Sequence, residues 1–390
     1  MTNTVLFDYN RSSLLPFTYT RPVPELRLGI LTIREHWELL IEHPVSFLTE
    51  DYLRDKFPVW KEQENLFLNG AVIPNIKLIH ASKELTLGQR LVKNGIPLAA
   101  YAEGWPDPQS PYGRFRDIEF ESEIKMIQQP WDIFSMCDWN IKTQFDLITF
   151  GRKSEPLSSS NRIIGSGKVF IEKGAKVECS IINTENGPVY IGKDAEIMEG
   201  CLIRGPLALC EGATLKMGAK IYGPTVIGPH CKVGGEISNS VFLGYSNKAH
   251  DGFIGNSVIG EWCNLGADTN NSNLKNNYSE VSIHSIDKGM MVPTGLKFCG
   301  LFMGDHSKCS INTMFNTGTV VGVYANIFGS GFPPKYVPSF SWGGAQGVTT
   351  FEIDKAILLA KEVFKRRQVD FDATEEKLLR SLFDMTKSAN

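Results

Sequence analysis

The 390-residue sequence has no charge-free apolar run of about 18 residues, so a membrane span is not expected. Forty Lys and Arg against 43 Asp and Glu leave a net charge of -3. Such a balance creates no global field to draw nucleic acid or an anionic membrane, and neither is expected as a partner. Among eight cysteines there is no C-x-x-C pair and no Cys/His cluster at zinc spacing, so the thiols are expected to be reduced and mostly buried. The first ten residues, MTNTVLFDYN, contain Asp8 and show neither a basic nor a long apolar segment. No export signal is expected there, and a cytoplasmic location follows as the expectation. What remains is an ordinary globular composition, 42% apolar and 21% charged, with length for two or three domains.

The middle of the chain is repetitive. Ile191, Ile197, Ile203, Leu209, Leu215, Ile221, Ile227 and Val233 follow one another at a constant step of six. A helix of 3.6 residues per turn would scatter these side chains around its axis, so they do not form a helical stripe. Four residues after each of the first seven come Ala195, Cys201, Leu207, Ala213, Ala219, Thr225 and Cys231, small in six of seven cases. The pattern predicts a solenoid: each hexapeptide is a short flat strand, the aliphatic residue points inward, and the small residue sits at the bend. Three hexapeptides make one coil, and parallel strands about 4.8 Å apart stack the aliphatic residues into columns. The pattern returns at Met303, Cys309, Phe315, Val321 and Ile327. Between the two blocks it is irregular, and Asp268 to Glu280 reads as a loop thrown out of a coil, a natural place for a site.

Residues 1–155 lack this repeat and read as a separate α/β domain. The Pro- and Ser-containing stretch GRKSEPLSSSNR leads into the solenoid, expected over 156–340. In the tail, 341–390, Ile353, Ala356, Ile357, Ala360, Val363 and Phe364 share a helical face, and Asp372 with Glu375 resembles a capping box. Helices there are expected to cover the end of the prism.

The sixfold block resembles the hexapeptide-repeat acyltransferases. SNKAHDGFIGNSVIGEWCNLGADT is similar to the acetyltransferase half of the bifunctional bacterial enzymes that make UDP-N-acetylglucosamine, with their K-A-G-H, N-I-G-A-G-T and C-N-Y-D-G segments. LLPFTYTRPVPELRLGILTIRE, from Leu14 to Glu35, resembles the N-terminal domain of a variant branch of the same family. The resemblance implies a Rossmann-like nucleotidyltransferase domain, a left-handed parallel β-helix and C-terminal capping helices. It also implies a homotrimer and acetyl-coenzyme A as co-substrate, with acetyl transfer to an amino-sugar 1-phosphate such as glucosamine 1-phosphate.

Carried over by position, His250 is the general base, a neutral imidazole being suited to removal of a proton from the sugar amine. Asn264, Ala267 and Asn273 match residues of the acetyl-coenzyme A and sugar site, and Glu236 is implied to orient or polarise the imidazole. Phe253 and Leu274 stand where the family has tyrosines, and Ser238 and Asn239 where it has lysines. Lys248, Lys275 and Lys232 are then candidates for the missing charge, Lys248 and Phe253 being placed with the ligand.

For the N-terminal domain the resemblance implies that a sugar phosphate attacks the α-phosphorus of UTP or dTTP and releases pyrophosphate. Arg21 and Arg27 are candidates to clamp phosphates, and Asn69 and Gly70 fall at the family's metal-binding Gly-Asp. That position has no carboxylate, which puts Mg2+ in question; Asp8 and Asp138 are the remaining candidate acids. The family's G-x-G-T-R-M loop is absent, no glycine preceding Gly29. Two other readings stay open: nucleotidyl transfer alone, or a non-catalytic oligomeric scaffold.

Overall fold

The computed structural model describes residues 3–110 and 115–387. They form two compact units. The first comprises residues up to Leu14, Thr18–Leu26 and Leu31–Gln129; the second comprises Leu15–Phe17, Arg27–Ile30 and everything from Pro130.

In the first unit, the apolar strand β1 (Asn3–Phe7) pairs in parallel with β2 (Ser46–Leu48) on one side and β3 (Glu64–Asn69) on the other. Beyond β3 lie Ile96–Glu103 and Gln89–Lys93, both antiparallel to their inner neighbours, and then Arg116–Glu119. The chain crosses β1 between β2 and β3, so the C-terminal ends of β1 and β3 mark the switch point where open α/β sheets take ligands. Helix α1 (Ile33–Ile41) starts at a reciprocal capping box: Thr32 accepts the Glu35 N–H at 3.1 Å and Glu35 accepts the Thr32 N–H at 2.7 Å. It buries Ile33, His36, Trp37 and Ile41 against the sheet layer.

The second unit is a parallel β-helix with three faces. One face has nine strands, from Val169–Ile171 to Tyr336–Val337, and the next has ten, from Lys176–Val177 to a closing antiparallel hairpin, Ser341–Gly344 with Gly347–Thr350. The third has six, from Arg162–Ile164 to Phe253–Gly255, after which Asn270–Asn271 pairs with Met314–Phe315. Every residue of the sixfold series is buried in a single apolar column system. Leu215 pairs with Val233, a coil of 18, but Val233 pairs with Lys248 and the next residue of that column is Leu265. The irregular block therefore consists of continuous coils of 15 and 17 residues, shortened at their corners. The extruded loop begins at Ser272, carries the hairpin Ser282–Ser285 and Met290–Pro293, and ends where Leu301 resumes the coil. Seven cysteines are buried and Cys179 is exposed, all as free thiols.

Packing divides the chain at 129/130, ahead of the boundary expected near 155: helix Cys137–Thr149 packs with the β-helix, its Phe145 meeting Phe170 edge-on at 6.5 Å and its Asp146 pairing with Lys168 at 3.0 Å. The tail is helical over Ile353–Arg366 and Ala373–Lys387, with Asp372 accepting the Glu375 N–H at 2.9 Å, but it runs along an edge of the prism rather than only over its end. At that edge His230, Tyr245, Trp262, His306, Tyr324 and Phe340 occupy one corner of successive coils, all with φ between 53° and 61°. A left-handed corner ordinarily favours glycine; here stacked rings compensate. Trp262 lies parallel to Tyr245 and to Phe364 of the tail, each at 4.2 Å, and Phe340 meets Phe383 at 5.0 Å.

Replacing Trp262 with Ala is expected to cost about 3 kcal/mol and to open the tail to proteolysis. Urea unfolding with limited digestion measures both; an unchanged midpoint and an intact tail would contradict the stacking role.

Candidate active site

His250 stands exposed at the edge where the second face passes into the third, between strands Asn247–Lys248 and Phe253–Gly255. The corner is crowded from below and above. A Cβ on Gly235 would come within 2.7 Å of the Gly252 carbonyl oxygen and 3.0 Å of that of His250, and a Cβ on Gly252 within 2.2 Å of the Thr269 carbonyl oxygen. Gly252 also has φ of 113°, so only glycine fits there. The corner is tied upward by the Asp268 N–H to the Asp251 carbonyl at 3.0 Å, and downward by the Glu236 N–H to the Gly252 carbonyl at 3.1 Å.

The expected site residues fall on the two faces that meet at this edge. On the second face, Asn264 is exposed and accepts a hydrogen bond from Asn247 at 3.0 Å. Ala267 occupies the matching corner one coil up, its carbonyl accepting the Asn312 N–H at 2.8 Å. On the third face, the Phe253 ring lies over Gly255 beside the Asn273 amide, and Asn273 donates to Asn256 at 2.8 Å. Glu236 pairs in register with Phe253 but does not hydrogen-bond the imidazole; it accepts the Tyr222 hydroxyl instead. Burial and this carboxylate push the Tyr222 phenol up to about 12. The implied orienting role of Glu236 toward His250 is therefore not the contact that is made.

Lys248 requires the clearest correction. It was expected at the ligand, yet it is fully buried, facing into the prism, and its ammonium donates to the carbonyl oxygens of His250 at 2.5 Å and Asp251 at 2.8 Å. Burial pulls this lysine down to about 8, opposed by Asp251 and Asp268. Of the other two lysines, Lys275 bonds within its own loop, to the Glu280 carbonyl. Lys232 is exposed on the second face; burial and the charges of Arg367, Lys216 and Arg366 hold it below the ordinary lysine value.

Sequence inspection passed over Asn270 and Asn271. Asn270 accepts the Phe253 N–H at 2.8 Å, and buried Asn271 accepts the Gly255 N–H at 2.8 Å and donates to the Gly255 carbonyl at 3.1 Å. These side chains replace the strand pairing that the extruded loop would otherwise break. The available signal was an N-N-S-N run at the step of six from Leu265.

In the first unit the candidates separate. Asn69 is fully buried, donating to the Pro97 carbonyl at 2.7 Å and accepting the Ala71 N–H at 2.9 Å, and a Cβ on Gly70 would meet Pro24 at 2.7 Å. Both hold the end of β3 and present nothing to a ligand. In the second unit, Arg27 is buried with its guanidinium on the Ile30 carbonyl, so it clamps backbone rather than phosphate. Arg21 is buried beside Thr20. Asp8, at the end of β1, has both oxygens engaged, by the Val23 N–H at 2.6 Å and the Thr49 hydroxyl at 2.5 Å, with Arg11 at 3.4 Å. Burial raises its pKa despite Arg11. Asp138 is in a surface pair with Lys142 at 2.8 Å. Among the described residues no group of three His, Cys, Asp or Glu side chains is arranged to hold a metal ion, and the residues at the switch point do not fit magnesium.

The first unit is thus a mixed α/β sheet, and the second a parallel β-helix with an exposed histidine at one edge. Residues 4–153 match the family described as Sugar nucleotidyl transferase. The chain is 30% identical over 217 residues to the bifunctional sugar-1-phosphate nucleotidylyltransferase/acetyltransferase of Sulfurisphaera tokodaii, a match covering 55% of this chain and 47% of that one. It thus spans about half the length of that curated relative. Among solved structures, the polySia-specific acetyltransferase NeuO aligns with 54% of this chain and 99% of its own, at 15% identity and TM-score 0.29. The UDP-N-acetylglucosamine acyltransferase of Francisella novicida aligns with 60% and 87%, at 14% and 0.30. Similarity at that level decides nothing about activity.

Replacing Gly252 with Ala is expected to lower the unfolding free energy by about 2 kcal/mol, through the positive φ and the Thr269 carbonyl together. An unchanged urea midpoint would contradict the packing of the corner.

Proposed function

We propose that the chain is a bifunctional sugar-nucleotide enzyme. At the β-helix edge, acetyl-coenzyme A acylates an amino-sugar 1-phosphate, glucosamine 1-phosphate being the first acceptor to try. His250 acts as general base. Its neutral imidazole takes the proton of the attacking amine as the new amide bond forms, the thioester bond breaks and coenzyme A leaves as the thiol. The observation that carries this reading is the exposed imidazole at a fixed corner, with the amide side chains of Asn264 and Asn273 on the next coil, before and after the corresponding corner. Those amides are suited to hold sugar hydroxyls or the pantetheine amides by hydrogen bonds.

The cations around Lys232 are suited to the phosphates of the donor. Lys232 pairs in register with Asn247, one strand from the edge, and Lys216, Arg366 and Arg367 surround it. The third face carries exposed Ile181 and Leu202 in register on successive coils, with exposed Tyr222 on the coil after them, and a second copy in a homotrimer would cover this face. Nucleotidyl transfer by the N-terminal domain, from UTP or dTTP to the sugar phosphate, rests on the family match and the named relative. There Asn69, Gly70 and Arg27 are committed to backbone, and Arg21 is buried beside Thr20. Transfer of the nucleotidyl group alone would be favoured if pyrophosphate were released from UTP or dTTP while no thiol appeared from acetyl-coenzyme A.

His250→Ala is expected to reduce thiol release from acetyl-coenzyme A with glucosamine 1-phosphate by about 100-fold or more while leaving pyrophosphate release unchanged. A retained rate would remove His250 from the chemistry. The double change Lys232→Ala and Arg366→Ala should raise KM for acetyl-coenzyme A about 10-fold at low salt with little change in kcat. A salt-independent KM equal to that of the unaltered protein would exclude the cluster from donor binding.

A further inference from the structure

One interior column of the prism, on the second face, reads Val177, Ile197, Leu215, Val233, Lys248, Leu265, Cys309 and Ile327. Seven positions hold an apolar side chain and one holds a fully buried lysine. An ammonium in such a place is costly unless its donors are satisfied, and two of them are, by the carbonyls of His250 and Asp251. Both carbonyls belong to the corner that carries the imidazole. The charged groups that act on the ammonium are Asp251 on its own coil and Asp268 on the next, with the Cys309 thiol further up the column. The Thr269 hydroxyl beside that thiol is committed to the Gly266 carbonyl at 2.7 Å. One coil below, the same corner is Gly234–Gly235 and the column residue is Val233, so that coil has no ammonium to capture its corner carbonyls.

We propose that Lys248 is a positioning residue: from inside the prism its ammonium draws in the His250 and Asp251 carbonyls and so sets the direction in which the imidazole leaves the edge. This rests on the reading of His250 as the base. Without the ammonium, the His250 carbonyl would face an apolar interior unpaired and that of Asp251 would keep only the Asp268 N–H, so the corner would turn outward to water. The fold itself gains little from the charge. The folded value near 8, against 10.5 for an ordinary lysine, means that the folded state binds the proton less tightly than the unfolded chain. Stability is therefore lowered at pH 7 and recovers as pH rises through that window. An aliphatic side chain matches the rest of the column.

The test replaces Lys248 with Met and, in parallel, with Leu. Melting temperature, steady-state kinetics of acetyl transfer, and amide hydrogen exchange at Phe253 and Asp268, whose N–H groups bond across the corner, are compared with the unaltered protein. The expected result is a melting temperature at or above the original, exchange faster by about 10-fold, and kcat lower by about 10-fold or more with KM for both substrates unchanged. Unaltered exchange and kcat would overturn the proposal. So would a change confined to KM, which would make Lys248 a ligand contact, and so would failure of both variants to fold, which would make it a support of the whole coil. His250→Ala with a full transfer rate would sink the base reading alone; the exchange measurement would still decide whether Lys248 fixes the corner.

Discussion

Stacking in register is the constraint on which the second unit depends. Each coil bonds its backbone to the one below and must deliver an apolar side chain to the same three columns, or the column is interrupted. A polar residue enters only with its hydrogen bonds already made. Lys248 and Asn271 meet that condition, one by closing on the carbonyls of its own corner and the other by closing on Gly255. They lie on consecutive coils around His250. The coils that carry the candidate chemistry are thus the ones where the column rule is relaxed, and they are also the shortened ones.

The same economy appears at the opposite edge. Rings at a left-handed corner carry a conformational cost, which their stacking offsets, and the exposed flank of that stack becomes the seat for the tail through Phe364 and Phe383. Arg367 follows the first tail helix and reaches the His230 carbonyl at 3.2 Å, which brings the tail's cations to the face where Lys232 stands. Packing of the tail and charge on the second face are therefore one arrangement rather than two.

Much of this was legible in the residues. The step of six from Ile191 to Val233 announced the columns, and the apolar face of 353–364 announced the first tail helix. Periodicity stopped being readable where corners lost residues: the coils of 15 and 17 look irregular in one dimension yet stay in register in three. Position alone put Lys248 near His250, and it is near; the direction of its side chain depends on strand parity counted from Val233, which the broken step concealed. Asn69 and Gly70 were placed by the position of the family's Gly-Asp, which carries no information about their packing. In the structure that strand end is closed over by Pro24 and the Pro97 carbonyl. The boundary near 155 followed the composition change, whereas packing follows Phe145 onto Phe170.

The central claim is that the edge holding His250 receives the thioester. A crystal structure with acetyl-coenzyme A bound tests it most directly. The account predicts the thioester carbonyl beside the His250 imidazole, with the phosphates of the donor near Lys232 and Arg366. A donor lodged elsewhere on the prism, or an edge left bare at saturating concentration, would contradict it.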